Sequence, residues 1–420
     1  MVFSRIREIM IKKIFSVIAF AAAALAASAL VKPGVETLRD NGFKVLEGKR
    51  VGLITNPTGV DNNLKSTVDI LHEAPNVQLV ALYGPEHGVR GDVHAGDKVG
   101  DSTDPATGVK VYSLYGKTRK PTKEMLKDID VLVYDIQDIG CRSFTFISTM
   151  GVAMEACAEQ GKEFVVLDRP NPLGGYKVEG NLVAEGFTSF VSQFPIPYLY
   201  GLTPGELAMM LNEEGMLEGG KKVKLTVVPM TGWHRYMNYR QTEMPWLLPS
   251  PHIPNPDVSD YYPATGILGE LYGISIGVGY TLPFQLIGAQ WIDAEKFAKR
   301  LNDLQLPGVI FRAIHYKPFY GTGKGENLQG VQIYITDTLD ANLSLLQFYA
   351  MQVLAEMYPD HKAFELEGVE KRFNMFDKVC GSDQIRLRFT KNYRVADIID
   401  YWNKDVEAFK ARSAKYYLYK

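Results

Sequence analysis

Cysteine is scarce in this chain of 420 residues: three, at 141, 157 and 380. They are too few and too scattered for a disulfide framework, and no Cys-x-x-Cys pair suggests a metal or redox motif. A charge excess of one sign is also lacking. Lysine plus arginine number 46 against 48 aspartate plus glutamate, a formal net charge of −2, which gives no long-range field to attract nucleic acid or an anionic membrane. There is no His-Glu-x-x-His pair for a zinc site. The Gly321-x-Gly-x-Gly325 stretch does not open a helix after a strand, so it gives a nucleotide loop little support. No internal repeat and no low-complexity tract follows the first thirty residues.

Those first residues are present for another purpose. Arg5, Arg7, Lys12 and Lys13 precede an apolar stretch at 14–25 that ends in Ala27-Ser28-Ala29, the small-x-small pattern of a cleavable leader. About a dozen apolar residues fall short of the roughly 30 Å hydrocarbon core, so cleavage is favoured over anchoring. Residues 1–29 are therefore expected to be a signal peptide, with Met10 as an alternative start. The mature protein is expected to be periplasmic or secreted, with no stable membrane anchor after cleavage.

From Arg50 to Met230 short β-branched runs alternate with helical stretches, the pattern of an α/β sheet covered on both faces. The runs, at 51–55, 77–82, 109–114, 131–134, 164–167 and 225–228, are continuously apolar, as parallel central strands are. The expected fold is a Rossmann-like, doubly wound, mostly parallel sheet. A helix at 144–160 is stopped by Gly161, with Met150, Met154 and Cys157 on one face. Thr203-Pro-Gly-Glu206 is a capping box, which makes Glu206 a cap and not a catalyst. Six prolines between 245 and 263 read as a rigid crossover too proline-rich for regular structure. The domains expected are thus 30–250, catalytic, and 251–420, a smaller α+β domain. In the second we expect a helix capped by Asp293, strands near 309–314 and 331–335, and a helix from Asp340 ended by Pro359. A strand near 385–389 and a terminal amphipathic helix from about Ala396 complete it.

Ligands of open α/β sheets bind at the carboxyl ends of strands. The second run empties into Gly84-Pro-Glu-His-Gly88, which sets Glu86 and His87 on a tight turn. The other strand ends carry Asn56, then Tyr115, then Asp135, Gln137 and Asp138, then Asp168, Arg169 and Asn171. Carboxylates beside amide, hydroxyl and arginine groups suit a sugar. Glycoside cleavage needs a protonated acid for the leaving oxygen and a second group that attacks, activates water or steadies the cationic centre. Glu86 is the first candidate acid, with His87 competing. Each other residue also has a local reading: Asp168 with Arg169 an ion pair, Asn56 a turn former, Asp138 a helix cap. A metal-dependent hydrolase using His87, Asp92, His94 and Asp97 is the weaker alternative, since their spacing matches no known motif; no metal and no cofactor is expected.

Long ordered motifs carry a resemblance. Leu82-Tyr-Gly-Pro-Glu-His-Gly-Val-Arg-Gly91, Tyr112-Ser-Leu-Tyr-Gly116, Asp130-Val-Leu-Val-Tyr-Asp-Ile-Gln-Asp-Ile-Gly140 and Val166-Leu-Asp-Arg-Pro-Asn-Pro172 resemble the NamZ-like exo-β-N-acetylmuramidases of peptidoglycan recycling. Gly201-Leu-Thr-Pro-Gly-Glu-Leu207, Pro249-Ser-Pro251 with Asn255, and Gly277-Val-Gly-Tyr-Thr-Leu-Pro-Phe284 extend it over most of the chain. The resemblance implies release of a terminal N-acetylmuramic acid from muropeptide or MurNAc-GlcNAc fragments, in a cleft closed by the smaller domain, with Glu86 as the acid. Tyr280 stands where many relatives are expected to have arginine, and Phe146 where many are expected to have tyrosine. Muramic acid carries a lactyl carboxylate, which calls for a cation; Arg142 or Arg90 is the expected partner, with Arg169 and Arg235 behind them. Asp135 or Asp138 is expected to orient the substrate's 2-acetamido group if that group assists. Trp233, Tyr261, Tyr262 and Phe284 are candidates to stack on sugar faces or to be core. A non-catalytic binder of wall fragments is the second functional alternative.

Overall fold

The computed structural model describes residues 30–86, 88–91, 102–116 and 118–420. Strands β1 (Arg50–Thr55), β2 (Gln78–Gly84), β3 (Ser102–Thr103), β4 (Lys110–Ser113), β5 (Val131–Asp135) and β6 (Glu163–Leu167) come first. The short β7 (Val178–Glu179) and β8 (Leu199–Tyr200) pair with each other, and β9 (Lys224–Val228) follows. One seven-stranded sheet results, in the order β3-β4-β2-β1-β5-β6-β9. Its neighbours are parallel except for the edge pair β3 and β4.

Both faces of the sheet are buried, which is why the strands read as unbroken apolar runs. Successive residues point to opposite faces. Leu53, Leu82 and Val133 join one apolar cluster, under helices Gly34–Asp40 and Thr67–Glu73. Ile54, Tyr83 and Tyr134 join the other, under helix Phe146–Gln160. That helix buries Met150, Met154 and Cys157 and ends at Gly161 with φ 64°, as its sequence predicts. The Thr203 capping box is formed, with proline at the first turn of helix Pro204–Glu213.

The remaining strands, β10 (Leu286–Ala289), β11 (Val309–Tyr316) and β12 (Leu328–Ile335), make an antiparallel sheet in the order β10-β12-β11. Helix Ala294–Asp303 packs on it, and helix Leu346–Met357 packs on that helix. Three expectations are corrected here. Residues 385–389 are not a strand but part of helix Gln384–Asn392. Ile385 and Phe389 are fully buried while Leu387 between them is 42% exposed, so the apolar pair is an i, i+4 helix face and not the inner face of a strand. Pro263 does not break regular structure: it lies inside helix Val258–Gly269. The terminal helix is broken in two, Ile399–Asn403 and Val406–Ser413.

The chain's last residues return to the first sheet. The Tyr419 hydroxyl donates to Asp168, the Leu418 amide donates to Glu206 Oε1 at 2.9 Å, and the Lys420 carbonyl accepts from the Arg235 amide at 3.0 Å. Tyr417 lies under the Arg235 guanidinium, 3.4 Å from ring centre to Cζ. Among the described residues no helix is long and apolar enough to cross a membrane.

Candidate active site

Glu86 follows β2 by two residues, on the turn that Pro85 starts. A Cβ on Gly84 would lie 3.3 Å from the backbone of Gly88 and Val89, so glycine there lets the chain fold back tightly behind Glu86. The partly exposed Glu86 carboxylate lines a cavity of about 190 Å³ with Ser143, Thr145, Ser250, His252 and Tyr262. Ser143 and Thr145 come from the loop after β5, which runs into helix Phe146–Gln160. The Thr145 hydroxyl donates to Glu86 Oε2 at 3.2 Å. The Tyr115 hydroxyl, at the end of β4, also bonds Glu86; burial first and that bond second push the phenol up to about 12. Glu86 is, among the described residues, the one acid on this wall.

The opposite wall comes from the proline-rich segment and the helix after it. His252 Nε2 lies 2.9 Å from the Tyr320 hydroxyl, and the indole of Trp246 donates to the Ile253 carbonyl at 3.1 Å, fixing the segment. Phe144 packs edge-on against Tyr262 at 5.7 Å, and Tyr262 edge-on against Phe284 at 4.9 Å. These edge-to-face contacts fasten the β5 loop to the second region. Tyr262 and Phe284 are thus at the cavity, whereas Trp233 is buried against Tyr419 and Tyr261 is packed on the second core.

The other rim residues are placed differently, and here the expected convergence of acids is corrected. Asp135 is fully buried. It receives the Arg169 guanidinium, with Nη2 donating to Oδ2 at 3.0 Å, and the Thr67 hydroxyl. Asp138 is 2% exposed; its Oδ2 accepts from the Tyr200 hydroxyl and the Gly140 amide. Burial pushes it up to about 7 against those bonds. Asp168 is fully buried and accepts from Thr203, Tyr419 and the Gly205 and Arg169 amides. Burial pushes it, too, up to about 7. None of the three lines the Glu86 cavity.

The amides and arginines share that fate. Asn56 Oδ1 accepts from Thr58, Gln137 Nε2 donates to the Asp138 and Pro170 carbonyls, and Asn171 Nδ2 donates to the Leu202 carbonyl. Arg90 clamps Asp104 at 2.9 and 3.0 Å, away from the cavity. Arg142 is 1% exposed; its guanidinium donates to the carbonyls of Asn181, Ile196 and Val379 and to Ser192. With no carboxylate among those partners, burial lowers it to about 10. Arg235 is spent on Glu206 and the carbonyls of Gly175 and Gly201. The expected arginine for the lactyl group is therefore not on this wall; the basic side chain that is there is His252. His87, and the Asp92, His94 and Asp97 of the metal alternative, lie outside the described residues. Among the described residues no group of three histidine, cysteine or acidic side chains is placed to hold a metal ion.

Sequence reading missed Ser143, Thr145, Ser250 and His252. Two of them sit in a loop eight and ten residues past a strand end, beyond the first turn where such residues are sought. The other two lie in the crossover, 164 and 166 residues from Glu86, where sequence spacing carries no sign of proximity.

Known proteins align with this arrangement over nearly its whole length. Two family models match: exo-β-N-acetylmuramidase NamZ, N-terminal, at residues 51–257, and its C-terminal counterpart at 261–419. The peptidoglycan β-N-acetylmuramidase NamZ of Bacillus subtilis (strain 168) is 45% identical over 389 residues, 93% of this chain and 91% of that protein. A crystal structure of a DUF1343 family protein from Bacteroides fragilis NCTC 9343 superposes with a TM-score of 0.90 at 64% identity, over 93% of this chain and 99% of the other. A second DUF1343 structure from the same organism gives 0.73 at 29% identity, with the same coverage.

Proposed function

Because the chain belongs to the exo-β-N-acetylmuramidase NamZ family, we propose that it is a glycosidase that releases terminal, non-reducing N-acetylmuramic acid from peptidoglycan fragments. The observation that carries the catalytic assignment is Glu86: a carboxylate on a cavity wall, held by two hydroxyls, while every other rim acid named above is sealed away. Glu86 serves as the general acid, donating a proton to the glycosidic oxygen as the bond breaks. Thr145 and Tyr115 fix its orientation.

With Asp135, Asp138 and Asp168 withdrawn, the second group is the substrate's own 2-acetamido oxygen, which attacks the anomeric carbon from the face opposite the leaving oxygen. Ser143, Ser250 and His252 bind the muramic acid around it. Water, giving its proton to the now ionised Glu86, then opens the oxazolinium at the anomeric carbon from the face the leaving oxygen vacated, so the product keeps its anomeric configuration, and a thiazoline analogue of the cyclised sugar inhibits. The leader supports a site of action outside the cytoplasm, where wall fragments are found. Incubation with a chromogenic β-muramide tests the reading: chromophore release that disappears in Glu86→Gln supports it, and release undiminished in that variant removes Glu86 from the chemistry. Tight binding of muramyl fragments with no product at any protein concentration favours the binding-protein alternative instead.

A further inference from the structure

The Glu86 cavity has a neighbour at its far wall. His252, Tyr262 and Phe284 also line a second, larger hollow of about 680 Å³, so the two adjoin along one wall. Drug-sized ligands occupy roughly 300–1,000 Å³; the first chamber is below that range and the second well inside it. An exo-acting site needs one small chamber for the terminal sugar, and whatever is larger lies beyond the bond being cut.

The second chamber has the character of a sugar-face site. Ile274, Ile276 and Val278 give it an apolar floor, and among the described residues no lysine or arginine lines it. Its one acid, Glu270, is already paired with Arg372 at 2.9 Å. At its edge stands Tyr272, 61% exposed, its ring braced by the Arg372 guanidinium at 4.2 Å. Tyr272 holds a left-handed backbone, φ 59°, and Phe284 on the shared wall another, φ 64°. Such conformations cost about 1–3 kcal/mol in non-glycine residues and concentrate at ligand sites. Both are held in place: the Thr265 hydroxyl donates to the Phe284 carbonyl at 2.8 Å, and the Tyr272 amide donates to Gly269 at 3.2 Å. Phe284 is buried against Tyr262, whereas Tyr272 on the same hollow keeps its ring in solvent.

We propose that this second hollow is the leaving-chain subsite, in which the uncharged N-acetylglucosamine after the scissile bond lies on the apolar floor and stacks on Tyr272. The assignment rests on the muramidase reading. It favours glycan over stem peptide because Arg372 beside the hollow is already paired with Glu270 and, among the described residues, no lysine or arginine lines the hollow to meet a peptide's carboxylates. The enzyme therefore reads a strand and not only its terminal sugar.

The test uses the full chain, wild type and Tyr272→Asn, since asparagine tolerates the left-handed backbone. Turnover is compared on a chromogenic β-muramide, on a peptide-free tetrasaccharide strand, and on the same strand bearing stem peptides. The ratio of kcat/KM on the bare tetrasaccharide to that on the muramide should fall about tenfold in the variant, mainly through KM, with Tm unchanged. An unchanged ratio overturns the proposal, as does a loss confined to the peptide-bearing strand, which would make the hollow a peptide site. If wild type turns over none of the three, the glycosidase reading has failed, and calorimetric binding of the tetrasaccharide still decides the hollow. About tenfold weaker binding to Tyr272→Asn upholds a glycan subsite; equal binding overturns it.

Discussion

Two patches at the carboxyl edge of the same sheet contain similar residues and have different roles. Around the ends of β5 and β6, acids, amides and an arginine are buried and bonded to one another and to backbone carbonyls. Around the ends of β2 and β4, Glu86, Tyr115 and Thr145 bond one another and still leave the carboxylate on a cavity wall. The difference is the cover. The loop after β1, helix Pro204–Glu213 and the chain's last residues close over the first patch; a hollow separates the second from the proline-rich segment. Carboxylates gathered on a rim are therefore not evidence of catalysis until the loops above them are known.

The comparison breaks if the two patches respond alike to substitution. Glu86→Gln should lower muramide turnover by about 10²–10⁴-fold, the usual reach of a general acid, with an unchanged Tm; a drop in Tm with turnover intact would reverse the roles. Asp135→Ala should do the opposite, stranding the Arg169 charge in the interior and costing about 3–5 kcal/mol in urea unfolding, with activity of the folded fraction retained. Tyr115→Phe sharpens the contrast, because it removes one hydroxyl from the exposed acid: kcat/KM should fall about tenfold while stability stays within about 0.5 kcal/mol.

The smallest effect is a matter of pH. Asp138 is pushed up to about 7 by burial, and its Oδ1 has no partner among the described residues, as suits a protonated acid. Between the ordinary carboxyl value near 4 and that raised one, the folded protein holds a proton the unfolded chain has released. Stability contributed by this group is thus full below about pH 4, declines as pH rises, and is gone above about 7. Melting followed from pH 4.5 to 8 should show Tm falling by a few degrees, and Asp138→Asn, which keeps a neutral side chain throughout, should flatten that slope. A slope identical in the variant would assign the titration to other groups, such as Asp168 or Asp260.

Much of the fold was legible because burial on both faces leaves a plain mark: six unbroken apolar runs became six parallel strands. Ends with local chemistry, such as the Thr203 cap and Gly161, were equally readable. The misread segment, Ile385-Arg-Leu-Arg-Phe389, satisfies period two and i, i+4 spacing together, and only the exposure of Leu387 separates them. Glu86 was legible as a candidate because its turn is written in glycine and proline. The sealing of Asp135, Asp138 and Asp168 was not, since Thr67, Tyr200 and Tyr419 lie 62 to 251 residues away from them. Arg142 illustrates the same gap: its four acceptors span Asn181 to Val379.

The return of residues 417–420 to the first sheet bears on how the polypeptide is made. Leu418 and Tyr419 add one donor each to Glu206 and Asp168, which Arg235, Thr203, Gly205 and Arg169 also bond, so the earlier-synthesised layer completes its interior hydrogen bonds only when residues 418 and 419 arrive. Severing the gene between the two matched segments should accordingly yield insoluble halves.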